Sequence, residues 1–243
     1  MNEGIVPYIP RDILKGSELP APGRLNLDQL LAYTYSLRFP RNSLVFGMAY
    51  DHKPVGINWE AARPNPMIIY GDQGAGKTAL LKIMARSSGL VYPDSSQWTI
   101  VTPDQYDQEW TQLGHSMPNY RGIYDTDPME LKHFLNRFKD LDGPQTYDPY
   151  LVLFDGLEHI SGLDKESQAN FWKLLVYGPA RRVFPIVTLN PQSEGMVTGW
   201  EKFFKTGIFG KNNSKSGLRK LASEQFIFHR ERNFVNFWLP SLY

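Results

Sequence analysis

Met67-Ile68-Ile69-Tyr70-Gly71-Asp72-Gln73-Gly74-Ala75-Gly76-Lys77-Thr78-Ala79-Leu80-Leu81 passes from a short apolar run, through a glycine-rich octet, into residues with helical spacing. Gly71–Thr78 satisfies G-x-x-x-x-G-K-[ST] at every position. The flanks decide what the pattern means. A buried strand before it and an amphipathic helix after it make a loop whose main-chain N–H groups converge on a polyphosphate. Glycines allow the required backbone turns, and the helix start adds the positive end of its dipole. Lys77 is expected to reach the outer phosphates and Thr78 to offer its hydroxyl to magnesium. The candidate nucleotide-binding residues are therefore Gly71, Asp72, Gln73, Gly74, Ala75, Gly76, Lys77, Thr78 and Ala79, with ATP and Mg2+ as the implied ligands.

Such a loop needs an acidic residue at the end of a second buried strand. Tyr150-Leu151-Val152-Leu153-Phe154-Asp155 is an unbroken apolar run ending in Asp155, as expected of a central parallel strand. Asp155 joins Thr78 as the expected metal pair. The next residue is Gly156, where hydrolytic P-loop proteins of this type carry a glutamate that activates water. Glu158 lies two residues further on. It reads first as a solvated acid at a helix start, with a reach back to the site as the other reading. Restoring an acid by Gly156→Glu is expected to raise turnover if the geometry is otherwise intact; an unchanged rate would mean that water activation is done elsewhere or that the ring is not formed.

Val183–Leu189 is the next strand and ends at Asn190-Pro191-Gln192. Asn190 and Thr188 are candidates to hold the attacking water or sense the outer phosphate; a simple turn cap is the alternative for Asn190. Arg181 and Arg182 precede that strand. They read either as an arginine finger on a neighbouring subunit's nucleotide or as a solvated helix end. Lys202, Lys205, Lys211, Lys215, Arg219 and Lys220 form a basic stretch with Trp200, Phe203 and Phe204 interleaved. A solvated loop beside a buried aromatic segment is the first reading, contact with DNA phosphates or an acidic partner the second. Lys211–Lys220 reads as a mobile loop.

Further strands are predicted at Leu44–Tyr50 and Lys53–Trp59, joined as an edge hairpin through Asp51-His52, and at Trp98–Thr102, Arg121–Tyr124, Thr206–Phe209, Gln225–His229 and Phe234–Trp238. Helices are predicted at Leu25–Leu37 with Asn26 as cap, from Lys77 to about Ser87, near Asp127–Leu141, and at Lys165–Tyr177. Strands alternating with helices imply a mostly parallel, twisted sheet covered on both faces. Residues 1–43 read as an extended, Pro- and Gly-rich arm followed by a helix, and residues 44–243 as the α/β domain.

Composition removes several function classes. The chain has no cysteine, so disulfides, thiolate zinc sites and cysteine nucleophiles are out. With 26 basic and 25 acidic residues its net charge is +1, so a nucleic-acid contact would need a local patch. The five histidines are scattered without ligand spacing. No apolar run approaches the roughly 18 residues of a spanning helix. Direct membrane insertion is therefore not expected; a cytoplasmic site follows, with any membrane recruitment left to a partner.

The order of motifs resembles the FtsK/SpoIIIE-type ATPases of the FtsK/HerA superfamily. Leu44-Val45-Phe46-Gly47, Lys53-Pro54-Val55-Gly56-Ile57-Asn58 and Pro66–Gly71 are similar to that family's glycine-ended strand, G-x-P-V hairpin and P-loop strand. Gly178-Pro179-Ala180-Arg181 with Ile186–Gln192, and Val197-Thr198-Gly199 with Lys205–Phe209, resemble its downstream segments. Among its members the chain looks most like the ATPase modules of EccC, the type VII secretion motor. The resemblance implies a RecA-like fold, a homo-oligomer or assembly with other ATPase modules, and movement of DNA or a secreted protein through a ring. Gly156 and Asn190 depart from the family pattern. Two readings follow: a motor-type ATPase, or a nucleotide-dependent assembly module with a degenerate site and little hydrolysis. A small-molecule kinase is the third class, without a visible lid segment.

Overall fold

The computed structural model describes residues 25–37, 43–58, 65–91, 96–144, 147–215 and 217–243. Ten strands form one sheet: β1 (Ser43–Ala49), β2 (Pro54–Asn58), β3 (Met67–Tyr70), β4 (Gln97–Val101), β5 (Tyr120–Tyr124), β6 (Tyr150–Phe154), β7 (Val183–Leu189), β8 (Thr206–Phe209), β9 (Gln225–Arg230) and β10 (Asn233–Trp238). Their order is β2-β1-β10-β9-β8-β3-β7-β6-β4-β5. The run from β8 to β5 is parallel throughout, and the remaining pairings are antiparallel. The expected hairpin is at the β2 edge, turning at His52 with φ 61°. Pro185 does not break β7, because the ladder with β3 begins one residue later, at Ile186.

Helices cover both faces: α1 (Leu27–Ser36), α2 (Lys77–Val91), α3 (Gln108–Ser116), α4 (Pro128–Asn136), α5 (Glu158–Ser161) and α6 (Lys165–Tyr177). Strand alternation splits the core between the faces. Leu151 and Leu153 of β6 pack with Leu80, Leu81, Met84, Trp98 and Trp110 on one side. Tyr150, Val152 and Phe154 pack with Phe134, Phe171 and Leu174 on the other. This double burial is why β6 reads as an uninterrupted apolar run.

Asn26 caps α1 as expected, in a reciprocal pair with Gln29. Leu27, Leu30 and Leu31 then sit in the same core as β1 and α2. The extended arm expected over residues 1–24 lies outside the described residues. Helix α3 escapes sequence periodicity because only Trp110, Leu113 and Gly114 of its residues are buried. Lys211–Lys220 is a loop, as expected, with one 3-10 turn at Leu218–Lys220; Asn212 and Leu218 in it are buried, and Lys211 and Asn213 are hydrogen-bonded to the phosphate loop described next.

Candidate functional site

Register brings the key residues to one edge. Tyr70 of β3 pairs with Leu189 of β7, and Phe154 of β6 pairs with Val187 of β7. The next residues along each strand are therefore neighbours: Gly71 beside Asn190, and Asp155 beside Thr188. This is the carboxyl edge of the parallel strands, where open α/β sheets bind ligands.

The loop from β3 to α2 turns through Gly74 (φ 79°) and Gly76 (φ 96°), conformations that a Cβ would strain. Ala75 N–H donates to the Asp72 carbonyl at 3.1 Å, Asp72 N–H to the Lys211 carbonyl at 2.8 Å, and Glu224 N–H to the Ala75 carbonyl at 3.1 Å. The loop is thus held at its start by the segment after β8 and further on by the residue before β9. Thr78, in the first turn of α2, donates its hydroxyl to Asp155 Oδ2 at 2.7 Å, while Thr188 donates to Asp155 Oδ1 at 2.8 Å. The expected metal pair is together, and Thr188 orients the carboxylate rather than facing the loop's interior.

Lys77 is only 8% exposed. Its ammonium donates to the carbonyls of Gly71 at 2.8 Å and Asp72 at 2.9 Å, and to Asn190 Oδ1 at 2.7 Å. Burial lowers its pKa, with Asp155, Glu158 and Asp72 opposing the shift.

Glu158 is not a solvated acid. Its Oε1 accepts from Asn190 Nδ2 at 3.3 Å, and its Oε2 is buried without a partner among the described residues. Gly156 makes this possible. Its φ of 118° turns the chain sharply after β6, and Leu157 N–H then donates to the Thr188 carbonyl at 2.8 Å. A Cβ at Gly156 would stand 3.5 Å from the Glu158 carboxyl carbon, so the two-residue offset brings that carboxylate back near the missing side chain. The same Cβ would stand 2.5 Å from His159 Cδ2 and 2.8 Å from Nε2. The intact geometry on which a gain from Gly156→Glu depends is therefore not kept without strain: the position has φ 118°, and the His159 ring stands where the new side chain would begin.

Arg181 and Arg182 lie at the amino end of the seven-residue β7, about 20 Å from the phosphate edge at ~3.3 Å per residue. They are not part of this chain's own site. Trp200 packs on Phe171, with ring centroids 5.2 Å apart, and Phe203 packs on Trp200 at 6.1 Å. These aromatics belong to the core rather than to a free stacking surface.

Several site residues escaped sequence reasoning. Asn213 donates from both its backbone N–H and its Nδ2 to Asp72 Oδ2, each at 2.8 Å. Tyr70 donates its hydroxyl to Glu194 Oε2 at 2.9 Å; burial raises the pKa of the phenol, and the carboxylate adds to the shift. These groups line a polar cleft of about 520 Å³ beside Asp72, Gln73 and Asn190. The available signal was positional: Gly210-Lys211-Asn212-Asn213 follows the strand flanking β3.

No protein-family model and no curated protein sequence matches the chain. Solved structures do. One named ATPase aligns with a TM-score of 0.72 and 12% identity, over 91% of this chain and 96% of that one. Thermomonospora curvata EccC (ATPases 2 and 3), in complex with a signal sequence peptide, aligns with a TM-score of 0.69 and 12% identity over 92% of this chain and 44% of its own. EssC (ATPases 2 and 3) from Geobacillus thermodenitrificans aligns with a TM-score of 0.64 and 13% identity over 97% and 48%. The chain spans less than half of these EccC and EssC chains. It has the P-loop ATPase fold of the EccC and EssC modules, the resemblance implied by its motif order.

Proposed function

We propose that the chain is a magnesium-dependent ATPase of the FtsK/HerA motor type, with Glu158 as the general base in place of a glutamate at 156. Residues 71–79 bind the nucleotide, and Lys77 neutralises its outer phosphates. Hard oxygen donors suit magnesium; the Thr78 hydroxyl and Asp155 carboxylate, 2.7 Å apart, fit it. When bound, the ion offsets charge on the transferring phosphoryl group. Glu158 takes a proton from the attacking water, and Thr188 keeps Asp155 oriented. The observation that carries this reading is the Glu158 carboxylate, turned back over Gly156 to the Asn190–Lys77 pair.

Turnover is coupled to movement of DNA or protein within an assembly of like subunits or other ATPase modules. Arg181 and Arg182, remote from their own site, act on a neighbour's nucleotide. The second reading, an assembly module with little hydrolysis, is favoured by Gly156 alone.

Steady-state ATP turnover separates the two. Glu158→Gln should retain ATP binding and lose about 100- to 10,000-fold in kcat, the usual worth of general-base assistance. Lys77→Ala should lose ATP binding as well. Wild-type turnover in Glu158→Gln would reject the base assignment; no measurable turnover in the wild-type assembly, with or without DNA, would favour the assembly module.

A further inference from the structure

Gly156 leaves a side-chain volume at the site, and a different residue occupies it. A Cβ at this position would stand 2.5 Å from Cδ2 and 2.8 Å from Nε2 of His159, and 3.5 Å from the Glu158 carboxyl carbon. The carboxylate and the imidazole thus flank one point, beside the turn at the end of β6. The two oxygens of Glu158 are not equivalent. Oε1 accepts from Asn190 Nδ2 at 3.3 Å, whereas Oε2 is buried with no partner among the described residues. A buried carboxylate oxygen without a donor marks a place for a water molecule. His159 is half-buried, and among the described residues its ring makes no hydrogen bond or ion pair. Besides Glu158, the charged groups on the elements adjoining α5 are Asp155 at the end of β6, Glu194 on the 3-10 turn Pro191–Val197, and Lys165, Glu166 and Lys173 on α6. None of these is bonded to the ring.

We propose that His159 is a positioning residue that holds the attacking water against Glu158, in the volume where a glutamate side chain at 156 would lie. This rests on the assignment of Glu158 as the base. With its own proton on Nδ1, the imidazole presents Nε2 as an acceptor. One O–H of the water points to Glu158 Oε2 and the other to His159 Nε2, which leaves an oxygen lone pair for the phosphorus. As the new O–P bond forms, the bond to the leaving ADP breaks and its electron pair departs with ADP. The first proton passes to Glu158, and the second stays on the product phosphate. An imidazolium has no acceptor nitrogen. Protonation of the ring therefore removes the water's second hold, and turnover falls on the acid side.

The test is the pH profile of kcat for ATP, from about pH 5.5 to 8.5, in wild type, His159→Phe, His159→Gln and Glu158→Gln. Dissociation constants for a non-hydrolysable ATP analogue accompany it. Phenylalanine keeps the ring's volume without its nitrogens. In His159→Phe, kcat should fall about tenfold, the worth of one hydrogen bond, while affinity for the analogue stays within about twofold. Glutamine supplies an amide oxygen that accepts at any pH. His159→Gln should recover most of the turnover lost in His159→Phe, and should lack the acid-side fall that wild type shows in the range where imidazoles titrate. Wild-type turnover in His159→Phe, or an acid-side fall that persists in His159→Gln, would overturn the proposal. Normal turnover in Glu158→Gln would instead reject Glu158 as the base, and the positioning role with it. If His159→Phe does not fold, the His159→Gln profile decides by itself.

Discussion

Gly156 decides how the acidic strand ends. In the left-handed region a Cβ costs on the order of 1–2 kcal/mol, and here it also meets the His159 ring at 2.5 Å. Gly156→Ala should therefore destabilise the protein by about 2 kcal/mol in urea denaturation and lower turnover, because the turn that returns Glu158 to Asn190 opens. Unchanged stability together with unchanged turnover would show that the turn does not hold the base. The sequence displays Gly156 only as a missing acid. That its absence is what allows Glu158 to approach is a statement about φ, and no residue pattern carries it. Lys77, Thr78 and Asp155 were legible for the opposite reason: their chemistry is tied to a loop and a strand end, and both are written locally.

Helix α2 presents Lys77 and Thr78 from its first turn and is braced further along by Lys82. That ammonium is 7% exposed and bonds to the Asp107 carboxylate and, at 2.6 Å, to Glu109, with the Trp110 ring centroid 5.5 Å away. Asp107 also caps α3 by accepting from Glu109 N–H at 2.8 Å. Burial alone would lower the pKa of Lys82, but Asp107 and Glu109 outweigh it and the net shift is upward. Burial would raise that of Asp107, but Lys82 and the helix N–H groups bring it below the usual carboxylate range. The signs give a window. The Asp107 contribution is present above its unfolded pKa of about 4 and is lost as pH falls through the lowered folded value; the Lys82 contribution is full below about pH 10 and fades only as pH rises through the raised one. Lys82→Met should cost about 2 kcal/mol at neutral pH and flatten the loss of stability below about pH 4. Urea titrations from pH 3 to 9 measure both, and an acid-side slope like that of wild type would put the linkage elsewhere. Such long-range partners are also why α3 and the anchoring of the Lys211–Lys220 loop were least legible beforehand. Strands β3, β6, β7 and β8, buried on both faces, announce themselves in their own composition.

At the scale of the whole chain, both described ends close over α2. Leu27 N–H donates to the Ser241 carbonyl at 2.9 Å, and Ser241 N–H to the Leu25 carbonyl at 3.1 Å. Arg86 of α2 pairs with Asp28 of α1 at 2.8 Å, donates to the Leu242 carbonyl, and lies 4.8 Å from the Tyr243 ring centroid. The helix that starts the phosphate site is thus braced at its far end by segments more than two hundred residues apart in sequence. A division near residue 43 would place α1 with the arm, yet Leu27, Leu30 and Leu31 lie in the core shared by β1 and α2. Each buried leucine is worth ~1.5–3 kcal/mol, so their loss approaches the ~5–15 kcal/mol by which a typical domain is stable. A chain beginning at Ser43 should therefore lack a cooperative urea transition, or show one moved down by several kcal/mol, and should lose the thermal stabilisation by Mg-ATP that a folded phosphate site confers. A truncated chain unfolding cooperatively at the wild-type midpoint, with its Mg-ATP shift intact, would make α1 an accessory and put the domain boundary at residue 43.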